Sequence, residues 1–309
     1  MRIVTFHANG DVRLGLELGD VFIDANRACA CMLKMQGDPA PERLANALLP
    51  SDPLSFLQAG ARAMDEARRV LAFVTNHREE LKDCLVPASS VKRLAPVPRP
   101  GKIICVGRNY YDHVSEMKRD LPRIPVIFAK LQNTVCAHGD VIPFPRVSDQ
   151  LDYEAELAVI IGKRGRDISQ EKALEYIAGY TAYNDITVRD WQQRTSQWLQ
   201  GKSFDKTGPM GPALVTVEDI PDPQNLSIRL WLNGELRQDD TTRNMIFSVA
   251  QLISFISQVM TLEPGDVIAT GTPGGVGVAM DPKGFMKVGD VVRVEIERIG
   301  VLENCIGEA

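Results

Sequence analysis

The stretch LDYEAELAVIIG, Leu151 to Gly162, decides how the larger part of this chain is read. Its second half is an unbroken apolar run that reads as a strand entering a core. Its first half carries Asp152, Glu154 and Glu156 at alternate positions. Residues two apart on a strand point to the same side. Glu154 and Glu156 therefore face together, with Asp152 behind them. Unpaired, their like charges repel, and burial sharpens the repulsion. Two readings stand at this point. One is a solvated edge strand whose carboxylates pair with some of the 35 basic residues. The other is a set of carboxylates sharing a divalent cation. The apolar continuation favours the second, because the strand heads inward.

A third carboxylate stands in YTAYNDITVRDWQQR. Asp185 falls where a strand-like segment gives way to a helix-like one, a usual place for a site residue. Helix N-capping is its alternative role. Two Glu and one Asp make an all-oxygen donor set, which selects Mg²⁺, Mn²⁺ or Ca²⁺ over Zn²⁺. The four histidines, His7, His77, His113 and His138, show no metal-ligand spacing. The six cysteines contain no CxxC pair. Cys29 and Cys31 read either as a redox or metal pair or as reduced thiols of a cytosolic protein.

With 309 residues, 44% hydrophobic and 24% charged, the composition is that of a globular protein of one large or two unequal domains. A formal charge of −5 gives no basic footprint for nucleic acid. No apolar run is long enough for a membrane span. The first residues, MRIVTFHANGDV, lack a signal-peptide pattern. The expected location is cytoplasmic.

Residues 1–24 alternate apolar and polar around Asn-Gly and Gly-Asp turns, the pattern of a β-meander. Helical spacing follows over 41–49 and 54–81, with Ser51 or Asp52 as N-cap. Prolines in RLAPVPRPGKIICVG set the boundary between a small N-terminal α/β domain, 1–95, and a main domain, 96–309. Strands are expected at 103–106, 126–129, 154–162, 177–185, 212–217, 227–233, 267–270 and 291–297. Helices are expected at 109–117, 170–176, 187–193 and 248–258. Runs of strands joined by short loops predict an α+β fold with a mixed or antiparallel sheet. GTPGGVG, 271–277, lacks the ending of a P-loop and the setting of a dinucleotide fingerprint, so nucleotide binding is not expected.

Six motifs in order carry a resemblance: IICVGRNYYDHVSEM, DYEAELAVIIGKRGRDIS, GYTAYNDITVRDWQ, GKSFDKTGPMGP, LWLNGELRQDDTTRNMIFSVAQLISFIS and LEPGDVIATGTPGGVG. From about residue 100 onward the chain resembles the fumarylacetoacetate hydrolase (FAH) family. The resemblance implies a mixed β-sandwich roll, a homodimer, and Mg²⁺ or Mn²⁺ held by Glu154, Glu156 and Asp185. It implies His113 and Glu116 as base and orienting carboxylate on a lid, and Lys202 near the metal. It implies Arg108, Asn109, Arg189, Gln192 and Thr272 as substrate-binding positions. The loop LQNTVCAHGDVI, with Cys136 and His138, departs from the family pattern and is either a pocket variation or a plain surface loop. The implied substrate is a small 2-oxo acid. The favoured reaction is hydrolysis of a C–C bond in an acylpyruvate-type 2,4-dioxo acid. The alternatives are 2-hydroxyhepta-2,4-diene-1,7-dioate isomerisation, oxaloacetate decarboxylation and ureidoglycolate cleavage.

Overall fold

The strand Ala155–Ile161 is buried at every position. It lies inside a 12-stranded mixed sheet, antiparallel to Ile177–Asn184 on one side and to Val267–Ala269 on the other. The computed structural model describes residues 1–8 and 10–308. Beyond Val267–Ala269 the sheet continues through Ile103–Gly107, in parallel, and Val126–Lys130. In the other direction Gly208–Thr216 pairs with Ile177–Asn184 and then with the first strand of the chain, Arg2–Ala8. A five-stranded sheet covers the outer part, in the order Glu235–Thr241, Ser227–Leu232, Val291–Ile296, Gly300–Gly307, Val141–Pro143. The two sheets share one core, in which Leu157, Val159 and Tyr180 pack with Leu230, Val294 and Ile296. Alternate burial along Ser227–Leu232 and Val291–Ile296 shows one face in that core and one outside. The fold is the α+β mixed sandwich that the sequence predicts.

The first three strands, Arg2–Ala8, Asp11–Leu18 and Val21–Asp24, form the expected meander. The helix Ala25–Met35 that follows is not foreseen by the sequence reading; Asp24 caps it, accepting from Arg27 N–H. The helical stretch 54–81 is two helices, Pro53–Ala59 and Ala61–Asn76, broken at Gly60, whose φ of +66° suits glycine. Asp52 is the N-cap of the first. These helices bury Phe56, Ala63, Ala67 and Val70 in a second core that also takes Ile160, Ala178 and Leu214 from the main sheet.

The segment 187–193 differs from its expected helix. Thr187–Val188 is a short strand paired with Leu151–Asp152, and only Arg189–Gln192 is helical. Asp185 therefore sits in a loop between strands and caps nothing. Four buried side chains in succession, Ile186 to Arg189, anchor this loop, so its apolar spacing serves a two-sided packing and not a helix face.

Candidate active site

Glu154 occupies the two-residue gap between Leu151–Asp152 and Ala155–Ile161. Its N–H donates to Asn184 Oδ1 at 2.9 Å, and its carbonyl accepts from Asp185 N–H at 2.9 Å. This mutual tie fixes the ends of two neighbouring strands side by side. As a result, carboxylate oxygens of Glu154, Glu156 and Asp185 all lie within 4.8 Å of one another, with all three residues buried. The strand reading placed the two glutamates together; the sheet pairing supplies Asp185.

Three buried cations surround the triad. Lys202 Nζ is 2.7 Å from both Glu154 Oε2 and Asp185 Oδ2. Lys130 Nζ is 2.8 Å from Asp185 Oδ1 and donates to Ile186 O. Arg189 bonds Asp152 Oδ2 through Nε at 2.7 Å and Glu154 Oε1 through Nη1 at 2.8 Å. Burial works against the Glu154 charge, but Lys202, Arg189 and His113 outweigh it and bring its pKa to about 2. Burial likewise works against the Lys202 ammonium, but Asp185 and Glu154 push its pKa up to about 12.

Glu156 is the exception. Its only hydrogen-bond donor among the described residues is Gly271 N–H, at 2.8 Å from Oε2. Burial, with Asp185 and Glu154 beside it, pushes its pKa well above the usual carboxylate range. A buried carboxylate without its own cation, at the meeting point of two others, fits a hard divalent ion.

Asp152 is fully buried. Besides Arg189 it accepts from Gly277 N–H at 2.8 Å and Val278 N–H at 3.0 Å, tying the glycine-rich loop to the carboxylate strand. On the opposite side the short helix Tyr111–Glu116 places His113 against the site. His113 Nδ1 is 2.8 Å from Glu116 Oε1, and Glu116 Oε2 accepts from Gly275 N–H at 2.7 Å. Gly275 has φ +101°, and a Cβ there would lie 2.0 Å from Arg237 O, so only glycine presents that N–H.

A cavity of about 420 Å³ joins these groups; Glu154, Glu156, His113, Lys202, Arg189 and Thr272 all line it. Gln192 and Arg108 line it too, Gln192 accepting from Arg189 Nη1 at 3.2 Å. Asp185 lies beneath, reached through its partners. Asn109 is placed differently from its expected substrate-binding role. It is fully buried, and its amide donates to Phe247 O and Thr270 O and accepts from Phe247 N–H. An amide so fully used ties the chain just before the helix Tyr111–Glu116 to the backbone of Phe247 and Thr270, and has no donor left for a ligand. Cys136 and His138 lie outside the cavity wall; Cys136 is buried and bonded to Lys206 O, and His138 accepts from Glu303 N–H. Cys31 faces Cys84, 3.6 Å away, rather than Cys29.

Lys130 and Gln238 also belong to the site and were not expected from the sequence. Lys130 ends VIFAK, where a lysine closing an apolar strand was the available signal. Gln238 crosses between sheets: its Oε1 accepts from Ala155 N–H and its Nε2 donates to Thr272 Oγ1 at 2.8 Å. No local pattern marks it.

Residues 102–307 match the fumarylacetoacetate (FAA) hydrolase C-terminal family. The chain belongs to the fumarylacetoacetate hydrolase family and is an enzyme of it. It is 42% identical to the mitochondrial oxaloacetate tautomerase Fahd2a of Rattus norvegicus, over 98% of this chain and 91% of that one. It is 44% identical to the oxaloacetate tautomerase YisK of Bacillus subtilis, over 84% and 87% of the two chains. The maleylpyruvate hydrolase of Sphingobium sp. SYK-6, solved with manganese(II) and pyruvate, superposes with a TM-score of 0.74 at 27% identity, covering all of both chains. Among the described residues, no helix is long and apolar enough to cross a membrane.

Proposed function

We propose that this enzyme interconverts the keto and enol forms of oxaloacetate or a closely similar 2-oxo acid, using Mg²⁺ or Mn²⁺ held by Glu154, Glu156 and Asp185. The observation that carries this reading is the likeness to an oxaloacetate tautomerase along 98% of the chain. The geometry supports it with one histidine base facing a carboxylate triad across a single cavity. A divalent cation there supplies Lewis-acid stabilisation of the enol form of a chelating 2-oxo acid.

The chain's own groups do the proton work. Glu116, fixed by Gly275, orients the His113 ring through Nδ1 and leaves Nε2 for the cavity. Nε2 takes a proton from the carbon beside the 2-oxo group and delivers it to the 2-oxygen, giving the enol; in the reverse direction it takes the proton from that oxygen and returns it to the carbon. Lys202, held charged by Glu154 and Asp185, stabilises negative charge developing on the substrate oxygen. Arg189 and Gln192 hold the carboxylate end. This proton shift needs one base and no hydrolytic water, so the groups present suffice for it. Hydrolysis remains the second reading. A 420 Å³ cavity has room for an acyl chain longer than four carbons, and the manganese and pyruvate structure belongs to a hydrolase. We also take the enzyme to act as a homodimer, which light scattering tests.

The deciding experiment follows the enol absorbance of oxaloacetate, and pyruvate release from acetylpyruvate and fumarylpyruvate, with chelated and metal-reloaded protein. Metal-dependent acceleration of enol decay without pyruvate release is expected. Pyruvate release from an acylpyruvate with no effect on oxaloacetate transfers the assignment to the hydrolase reading.

A further inference from the structure

Four cationic side chains besides His113 line the cavity, and they fall into two kinds. Arg189 and Lys202 are each held by two carboxylates. Arg108 and Arg119 have no carboxylate partner among the described residues. Arg108 lies over the Trp198 ring, its guanidinium carbon 5.6 Å from the centroid. Arg119 is exposed, whereas Glu154 and Glu156 are buried, so it marks the mouth of the cavity whose floor is the triad.

The position of Arg119 is built. The lid helix Tyr111–Glu116 closes with Arg119 N–H on Val114 O at 3.1 Å and Lys118 N–H on Ser115 O at 3.0 Å. That is a Schellman closure, which needs a left-handed residue and usually takes glycine. Here Lys118 adopts it, with φ +51°. The turn sends the chain back, and Arg119 meets the cavity that His113 enters from the same lid.

We propose that Arg119, with Arg108 beside the same cavity, binds the distal carboxylate of a 2-oxo dicarboxylate and so sets the enzyme's preference for dicarboxylates. This rests on the reading of the triad as the seat of a chelating 2-oxo acid. Glu154 and Asp185 at the floor are already countered by Lys202, Lys130 and Arg189, and neither arginine at the mouth is engaged by a carboxylate, so the charge at the mouth is free to act on a ligand. A guanidinium fork suits a carboxylate, and its exposure keeps the desolvation cost small. Because Arg119 closes the helix that carries His113, a bound distal carboxylate also holds the base in place. A monocarboxylate gains neither effect.

Malate and lactate test this. Both chelate through a carboxylate and a 2-hydroxyl, and they differ by the distal carboxylate alone. Calorimetric titration of Mn²⁺-loaded protein should show wild type binding malate more tightly than lactate. Arg119→Ala should lose about tenfold in malate affinity, the low end for a charge-assisted bond at an exposed site, with lactate unchanged. Arg119→Lys should recover part of the loss. Lys118→Gly, which keeps the left-handed turn, should leave the malate preference intact, and Lys118→Val, which opposes it, should lower that preference. In turnover, Arg119→Ala should raise the KM for oxaloacetate more than it lowers kcat. Equal losses for malate and lactate, or an unchanged malate preference in Arg119→Ala, overturn the proposal. If the preference depends on Arg119 but oxaloacetate is not tautomerised, this proposal stands and the assigned reaction falls. If oxaloacetate is tautomerised and the preference ignores Arg119, the reverse holds.

Discussion

Replacing Glu156 by glutamine should make the metal-free enzyme more stable at neutral pH while depriving it of metal. Its buried carboxylate has one backbone donor and two acidic neighbours. Its pKa is raised in the folded chain, so between the ordinary carboxylate range and that raised value the folded state binds more protons than the unfolded one. Stability then falls as pH rises, by up to about 1.4 kcal/mol per pH unit from this one group. Glutamine removes that slope and keeps an oxygen for Gly271 N–H. The two neighbouring carboxylates, which share Lys202 and pair also with Arg189 and Lys130, keep their cations. For a chain of this length, 1 kcal/mol corresponds to roughly 2 °C in Tm. The assay is thermal unfolding of chelated wild type and Glu156→Gln from about pH 5 to about pH 8, then again with excess Mn²⁺. The difference between the metal-free proteins should grow in favour of the variant as pH rises. With Mn²⁺ the order should reverse, because the ion counters the charge in wild type only. A metal-free variant that is less stable at every pH, or a difference independent of pH, refutes the argument.

Other substitutions probe the remaining parts. His113→Ala should cost about 10²- to 10⁴-fold in kcat, the usual weight of a positioned base, with Mn²⁺ affinity measured by calorimetry unchanged. Lys130→Met removes one cation from buried Asp185 and should destabilise the metal-free protein by about 3 kcal/mol in urea unfolding, and less once Mn²⁺ is bound. Gly179→Ala sets a Cβ 2.3 Å from Val215 O inside the main sheet and should abolish soluble expression, which a fractionation gel reads directly.

The carboxylate strand was legible because its pattern is local: alternate acids followed by an apolar run. The same holds for the helix Val249–Val259, where Ser248 and Gln251 form a capping box at its start. The strand Glu235–Thr241 was not expected, since ELRQDDT is polar and pairs at the edge of the outer sheet, where little burial demands apolar residues. The helix Ala25–Met35 was lost among small residues and cysteines, whose weak hydrophobic contrast hides a buried face. At the site, Glu154, Glu156 and Asp185 were found through charge spacing and sequence context. Lys130 and Gln238 act across strands distant in sequence, so their partners exist only once the sheets are assembled. Asn109 was expected at the substrate through the family resemblance alone. Its own amide turns instead to the backbone of Phe247 and Thr270.

In the proposed site, three carboxylates brought together by two strand ends hold one divalent ion. Calorimetric titration of the chelated enzyme with Mn²⁺, beside Glu154→Ala, tests it most directly. One ion per chain in wild type and no binding at that site in the variant are expected. Equal stoichiometry and affinity in both proteins would contradict it.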